Sequence, residues 1–242
     1  MIEEIMSKQL FALSNTDTYF PDPNKALNDP EGLLAIGGDL SSKRLINAYQ
    51  QAIFPWFSKG EPILWWSPAE RAVIQPEHVH ISKSMSKFIR HTDLTITVNH
   101  DFSSVIEACS LPRQKQAETW ISPAIKQAYK ELHQLGYAHS IEVWNGELLV
   151  AGLYGVNVGG IFCGESMFQQ QTNASKLAFI ALCRHFSAHQ GQLIDCQMMT
   201  PHLASMGVEA NTREQFLTQL SLFKEASLDE HCWQQQILLL TP

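Results

Sequence analysis

Apolar residues recur along this chain with two periods, and the alternation between them marks out its elements. Leu45, Ala48, Tyr49 and Ala52 return at helical spacing, predicting a helix over 42–53 that Gly37-Gly38-Asp39-Leu40-Ser41 introduces and Pro55 breaks. Ile81, Met85 and Phe88 define one face of a helix over 82–90, whose other face carries Lys83, Lys87 and Arg90. Residues 94–98 alternate as a strand and 102–108 read as a helix. Ser122-Pro123 is an N-cap followed by proline at the first helical position. Ile125, Ala128, Tyr129, Leu132 and Leu135 mark the buried face of the helix it opens, and Gly136 closes it. Residues 139–144 alternate, Asn145-Gly146 signals a hairpin, 148–158 returns as a long strand, and Gly159-Gly160 turns the chain into Ile161-Phe162-Cys163. Three antiparallel strands in succession are therefore expected. A helix follows from Thr172 or Asn173 to Gly191 with Phe179, Leu182 and Phe186 on one face, and then a buried strand over 192–197. In that strand Asp195 and Gln197, two apart, should project from the same side. A last helix spans 212–223, capped by Thr212.

The first 32 residues are rich in turn formers, including Pro21-Asp22-Pro23-Asn24 and Asn28-Asp29-Pro30-Glu31-Gly32, and predict an irregular entry. Trp56, Trp65 and Trp66 lie in an aromatic, proline-rich connection; they either pack a domain seam or build a flat surface on which a base stacks. The texture then turns to ordinary α/β alternation. This places a boundary near Trp65, with a small N-terminal domain over 1–65 and a larger domain over 66–242. The fold class is α/β (α+β) with a mostly antiparallel sheet.

Composition narrows the possibilities. With 242 residues, 45% of them hydrophobic, the chain can bury a full core. No stretch approaches a membrane span, and the start, Met1-Ile2-Glu3-Glu4, is acidic where a signal peptide is basic, so a cytoplasmic location is expected. Five scattered cysteines without a C-x-x-C pair are expected to be reduced and buried. A net charge of -7 disfavours coating of nucleic acid, which leaves Lys83, Lys87 and Arg90, with Arg71, as a local basic patch.

The chemistry concentrates in Phe162-Cys163-Gly164-Glu165-Ser166-Met167-Phe168 followed by Asn173-Ala174-Ser175-Lys176, a strand-to-helix junction that sets a carboxylate and a hydroxyl among large apolar side chains. A coenzyme-A-dependent acetyltransferase would carry a glycine-rich pyrophosphate turn where this chain reads Gln169-Gln170-Gln171-Thr172-Asn173-Ala174. An RNA-binding module accounts for the aromatics and the basic stripe but not for Asp195 and Gln197. A cysteine hydrolase built on Cys196 is disfavoured because Cys196 should face away from Asp195.

Leu33-Leu34-Ala35-Ile36-Gly37-Gly38-Asp39-Leu40, Ile53-Phe54-Pro55-Trp56-Phe57, Trp65-Trp66-Ser67-Pro68, His139-Ser140-Ile141-Glu142-Val143-Trp144, the Phe162–Phe168 run, Asn173-Ala174-Ser175-Lys176 and Ile194-Asp195-Cys196-Gln197 occur in one order over roughly residues 20 to 210. Together they resemble the bacterial leucyl/phenylalanyl-tRNA-protein transferases. The resemblance implies a small N-terminal domain beside a GCN5-related acetyltransferase-like domain. It also implies transfer of Leu or Phe, and Met less well, from aminoacyl-tRNA to proteins with N-terminal Arg or Lys, which marks them for N-end rule degradation. No cofactor, metal, DNA or membrane partner is implied, and a monomer is expected. By the same resemblance Tyr49, Trp56 and Trp120 line the pocket for the 3'-terminal adenosine, Glu165 is a pocket carboxylate, and Asp195 with Gln197 is central to peptide transfer. Gln197 would orient the attacking amine while Asp195 fixes the Gln197 amide. The amino-acid pocket is expected from Leu153, Phe162, Met167, Phe179, Leu182 and Phe186, and the tRNA patch from Arg71, Lys83, Lys87 and Arg90. Leu153 departs from the methionine of the family's Gly-Met-Tyr-Gly run, a swap of similar volume that should preserve the pocket. A longer loop near 111–117 is a second departure.

Overall fold

The computed structural model describes residues 9–112 and 119–240; most of the loop expected at 111–117, including Arg113, Gln114 and Lys115, lies outside them. The described residues build two sheets. The small one orders its strands β1 (Phe11–Leu13), β2 (Leu33–Gly37), β4 (Leu64–Trp66) and β3 (Phe54–Pro55), with helix α1 (Ser42–Tyr49) between β2 and β3. Ser41 caps α1 by accepting from the Arg44 amide. The helix stops at Tyr49, short of the expected Ile53, because the chain turns through Ala52 at φ 64° to enter β3.

The large sheet holds eight strands in the order β11 (Glu209–Thr212), β5 (Glu70–Ile74), β10 (Leu193–Gln197), β9 (Ile161–Gln169), β8 (Leu148–Val158), β7 (Ala138–Asn145), β6 (Thr95–Val98) and β12 (Gln236–Leu238). Every neighbouring pair is antiparallel except β9 with β10, which α5 (Ala174–Ala188) joins by a crossover. The three strands β7, β8 and β9 form the meander expected from their alternation. The tight turn between β7 and β8 is centred on Gly146-Glu147, one residue later than the Asn-Gly signal, with Gly146 at φ 60°.

Helices cover both faces. On one side α3 (Phe102–Cys109), α4 (Pro123–Gln134) and α6 (Arg213–Phe223) pack with Tyr154, Val156 and Cys163, and α1 with its small sheet runs into the same core through Tyr49, Ile53 and Trp65. On the other side α2 (Lys83–His91) and α5 pack with Val143, Leu153 and Phe162. Helix α5 is buried nearly all round, as expected of a helix laid across a sheet and covered by the C-terminal segment. Caps follow the sequence: Ser122 accepts from the Ile125 amide, and Thr212 forms a capping box with Gln215. Leu135, expected on the buried face of α4, caps the helix instead and is 59% exposed. No helix among the described residues is long and apolar enough to cross a membrane.

Candidate active site

Two β-bulges on neighbouring strands build the site. Tyr154 and Gly155 of β8 pair with Ser166 and Gly164 of β9, which leaves Glu165 as an extra residue on β9. The bulge shifts the alternation by one, so Phe162 and Met167, five apart, both pack against the side of the sheet that α5 covers. Gly155 is required here: a Cβ would stand 2.2 Å from the Cys163 carbonyl oxygen. On β10, Asp195 and Gln197 pair with Val73 and Ala72, so Cys196 is extra in turn, and Gln197 sits at φ 62°, a left-handed conformation unusual for a residue with a side chain. The Asp195 carboxylate holds that turn in place, its Oδ1 accepting the Gln197 amide at 2.9 Å.

The bulges aim Glu165 and Gln197 at one another. Gln197 Nε2 donates to Glu165 Oε1 at 2.7 Å, and the Tyr129 hydroxyl donates to Oε2 at 3.0 Å. Tyr129 in turn shares a short hydrogen bond with the Tyr49 hydroxyl. Removal from water pushes the Glu165 carboxyl up to about 7; the hydrogen bonds from the tyrosine pair and Gln197 oppose that shift, and the nearby Asp195 charge adds to it. Burial raises both tyrosines well above their ordinary range, so they stay protonated as donors.

Asp195 is fully buried and differently engaged from the sequence expectation. Arg71 grips it with two hydrogen bonds, Nε to Oδ1 at 2.8 Å and Nη2 to Oδ2 at 2.7 Å. The Asp195 side chain thus fixes the Gln197 main chain, whereas Glu165 fixes the Gln197 amide. Arg71 is correspondingly removed from the proposed surface patch. It is 2% exposed, donates to the Ala52 carbonyl at 3.2 Å, and lies between the rings of Phe54 and Phe216 at 4.8 and 4.6 Å. Lys83, Lys87 and Arg90 are exposed on α2.

Beside Glu165 and Gln197 a cavity of about 440 Å³ opens where β9 and β10 diverge, lined by Leu153, Phe162, Met167, Phe179 and Leu182 from the expected set. Phe186 does not line it. Its ring packs deeper, against Gly191, Phe162 and Trp233, because the turn of α5 that carries it has passed the cavity floor. Met198, Thr200 and His202 complete the wall and were not expected, since they follow the strand in a stretch without periodicity. Cys196 also faces the cavity, opposite Asp195; burial pushes its thiol upward, which makes it a poor nucleophile.

The tryptophans divide between the two roles the sequence left open. Trp65 is fully buried in the core and donates to the Gly37 carbonyl at 2.9 Å. Trp56, Trp66 and Trp120 meet in a smaller cleft of about 160 Å³, with Trp56 and Trp66 edge to face at 5.8 Å and Trp56 40% exposed. Tyr49 is not part of that cleft: it is 2% exposed and forms the buried end of the hydroxyl chain to Glu165. Tyr129, read from the sequence as a core residue of α4, is the link between them. The buried Tyr154 hydroxyl, on the cavity side of the same cluster, finds no hydrogen-bond partner among the described residues.

The family model described as leucyl/phenylalanyl-tRNA protein transferase matches residues 73–221, and that family's N-terminal domain matches residues 38–69. The leucyl/phenylalanyl-tRNA–protein transferase of Psychromonas ingrahamii is 55% identical over 93% of this chain and 94% of its own length. That of Aeromonas hydrophila is 50% identical over 97% of this chain and all of its own. Among solved structures, a functionally unknown conserved protein of Staphylococcus epidermidis covers 74% of this chain at 11% identity with a TM-score of 0.41. Matches of this identity and coverage define the chain as an aminoacyltransferase that uses aminoacyl-tRNA and protein substrates. The chain belongs to the leucyl/phenylalanyl-tRNA protein transferase family.

Proposed function

We propose that the acceptor is a protein with N-terminal Arg or Lys and that the transfer of Leu or Phe, with Met a weaker donor, marks it for N-end rule degradation. The observation that carries the mechanistic reading is the Gln197 to Glu165 hydrogen bond at the mouth of the apolar cavity. With Nε2 committed to a carboxylate, Gln197 turns Oε1 outward as an acceptor for the attacking α-amine. The donor's side chain fills the cavity, and its terminal adenosine stacks in the cleft of Trp56 and Trp120.

An aminoacyl ester is already activated, and an α-amine with a pKa of about 8 is partly neutral near pH 7, so alignment supplies much of the rate. The amine nitrogen forms the new bond to the ester carbonyl carbon, and the bond from that carbon to the 3'-oxygen breaks. Glu165 stabilises the positive charge that develops on the amine, and the proton the amine sheds ends on the departing 3'-oxygen. Asp195 and Arg71 act behind Gln197, as positioning residues that hold its backbone turn. The parallel pair β9 and β10 flanking α5 fits the relation to GCN5-type acetyltransferases.

Incubation with labelled Leu-tRNA and peptides that differ only in their first residue tests the reading. Label should enter the Arg and Lys peptides and not an Ala peptide. Equal labelling of all three, or acetylation from acetyl-coenzyme A in its place, overturns it.

A further inference from the structure

His185 in the last turn of α5 and His189, the residue that caps it, stand four residues apart, and the C-terminal segment lays Cys232 over them. One ring nitrogen of each histidine and Cys232 Sγ all lie within 4.8 Å of one another. Both rings are already oriented by backbone carbonyls. His185 Nε2 is bonded to the Cys232 carbonyl at 2.6 Å, and His189 Nδ1 to the His185 carbonyl at 2.8 Å. A carbonyl only accepts, so the bonded nitrogen of each ring carries the proton and the opposite nitrogen keeps its lone pair. Carbonyl bonding of one ring nitrogen is the arrangement that presets the other as a metal ligand, which leaves His185 Nδ1 and His189 Nε2 for that role.

The geometry points to a divalent metal site formed by His185, His189 and Cys232, with zinc the cation that suits it, which fastens the C-terminal segment to α5. Two imidazoles and a thiolate suit borderline-soft zinc better than the hard, oxygen-seeking magnesium or calcium. Bonds of about 2.0 to 2.3 Å in a tetrahedron put donors about 3.3 to 3.7 Å apart, so binding would draw the three inward by about 1 Å and leave a fourth position for water. His189, partly exposed, gives the ion its way in, while His185 and Cys232 are buried beneath it. Burial keeps the Cys232 thiol protonated without metal, its pKa pushed up to about 12, so one proton leaves when the metal binds.

The site lies away from the proposed transfer chemistry and does not rest on that reading. Its consequence is mechanical. Trp233, next to Cys232, packs against Phe186 at 5.8 Å and Phe162 at 5.3 Å, so a tether at Cys232 braces the back of the aminoacyl cavity. Without the metal the strap is held there by the His185 bond, the stacking of His139 on Trp233 at 4.2 Å, and the pairing of β12 with β6.

Titration of the untagged, chelator-treated protein with Co²⁺, and then with Zn²⁺ against a competing chelator, tests this. One equivalent of Co²⁺ should produce a thiolate-to-cobalt charge-transfer band, and Zn²⁺ should displace it and raise the melting temperature. Cys232→Ser should abolish the band, and His189→Ala should weaken Zn²⁺ binding by more than the roughly 10 to 100-fold that loss of an outer-shell partner costs. His189→Ala keeps the test open if Cys232→Ser fails to fold, because His189 is only partly buried. A wild-type protein without the band, a band that survives Cys232→Ser, or Zn²⁺ affinity unchanged in His189→Ala overturns the assignment.

Discussion

Gln197 Nε2 donates to Glu165 Oε1 at 2.7 Å, so a carboxylate with a pKa of about 7 decides which way a neutral amide faces. Only the ionised carboxylate accepts from Gln197 and Tyr129 together while carrying the charge that steadies the amine. Turnover at saturating substrates should therefore rise with pH through an apparent pKa of about 7. Glu165→Gln should lower turnover and flatten this limb. A pH series of kcat for both proteins checks it, and identical profiles would remove Glu165 from the mechanism.

Tyr129→Phe should move the same limb to higher pH. The Tyr129 hydroxyl lowers the Glu165 pKa, so its removal leaves the carboxylate one donor short and strengthens the effect of burial. The Tyr49 hydroxyl loses its partner as well, at a cost to stability of about 1 to 3 kcal/mol. Tyr49→Phe leaves the Tyr129 bond to Glu165 in place but removes the Tyr49 hydroxyl, which also lowers the Glu165 pKa, so it too should move the limb to higher pH. Denaturant titrations and pH profiles of both variants measure the two effects separately.

Breaking the Arg71 to Asp195 pair should be expensive. Both oxygens of a fully buried carboxylate are committed, so Asp195→Ala strands a buried guanidinium and should cost about 3 to 5 kcal/mol. Replacing both partners together, Arg71→Met with Asp195→Leu, should recover much of the stability but little of the turnover, because the Gln197 amide still lacks Oδ1. A double-mutant cycle in urea and a rate assay at saturating donor give the two answers. An Asp195→Ala loss below about 1 kcal/mol would contradict the ion pair's weight in the core.

The cavity should discriminate by shape. With apolar walls from Leu153, Phe162, Met167, Phe179 and Leu182, Leu should exceed Val by roughly 10 to 200-fold in kcat/KM. Leu182→Ala enlarges the space and should favour Phe over Leu, at a stability cost of about 2 to 5 kcal/mol. Competition between labelled Leu-, Phe- and Val-tRNA reads the ranking. Equal transfer of Leu and Val would show that the side chain binds elsewhere.

With Arg71 buried, a phosphate contact on α2 falls to Lys83, Lys87 and Arg90. Lys83→Ala with Lys87→Ala should weaken donor binding and flatten its dependence on log salt by about 1 to 2 units. Turnover at saturation should hardly change. Donor affinity measured across a salt series settles it: an unchanged slope marks the stripe as a solvated helix face.

What the sequence alone determined is what local chemistry controls. The helix over 123–134, its Ser122 cap, the capping box at Thr212 and the meander through β7, β8 and β9 follow from periodicity and turn residues within a few positions of one another. The apolar composition of the cavity was legible for the same reason. Only the tertiary structure decided the rest. The short strands of the small sheet, three of them in stretches dense with proline, tryptophan and glycine, exist because they pair with one another, and no period marks them. Arg71 looked like a surface cation; the placement of β5 beside β10 made it the partner of a residue far along the chain. Glu165 and Gln197 are aimed by bulges, and a bulge is a mismatch between two strands that neither strand encodes by itself. A regular alternation would have set Phe162 and Met167 on opposite faces and Asp195 and Gln197 in one row. Each ladder gained one residue, and that rotation brings carboxylate, amide and apolar wall into one site.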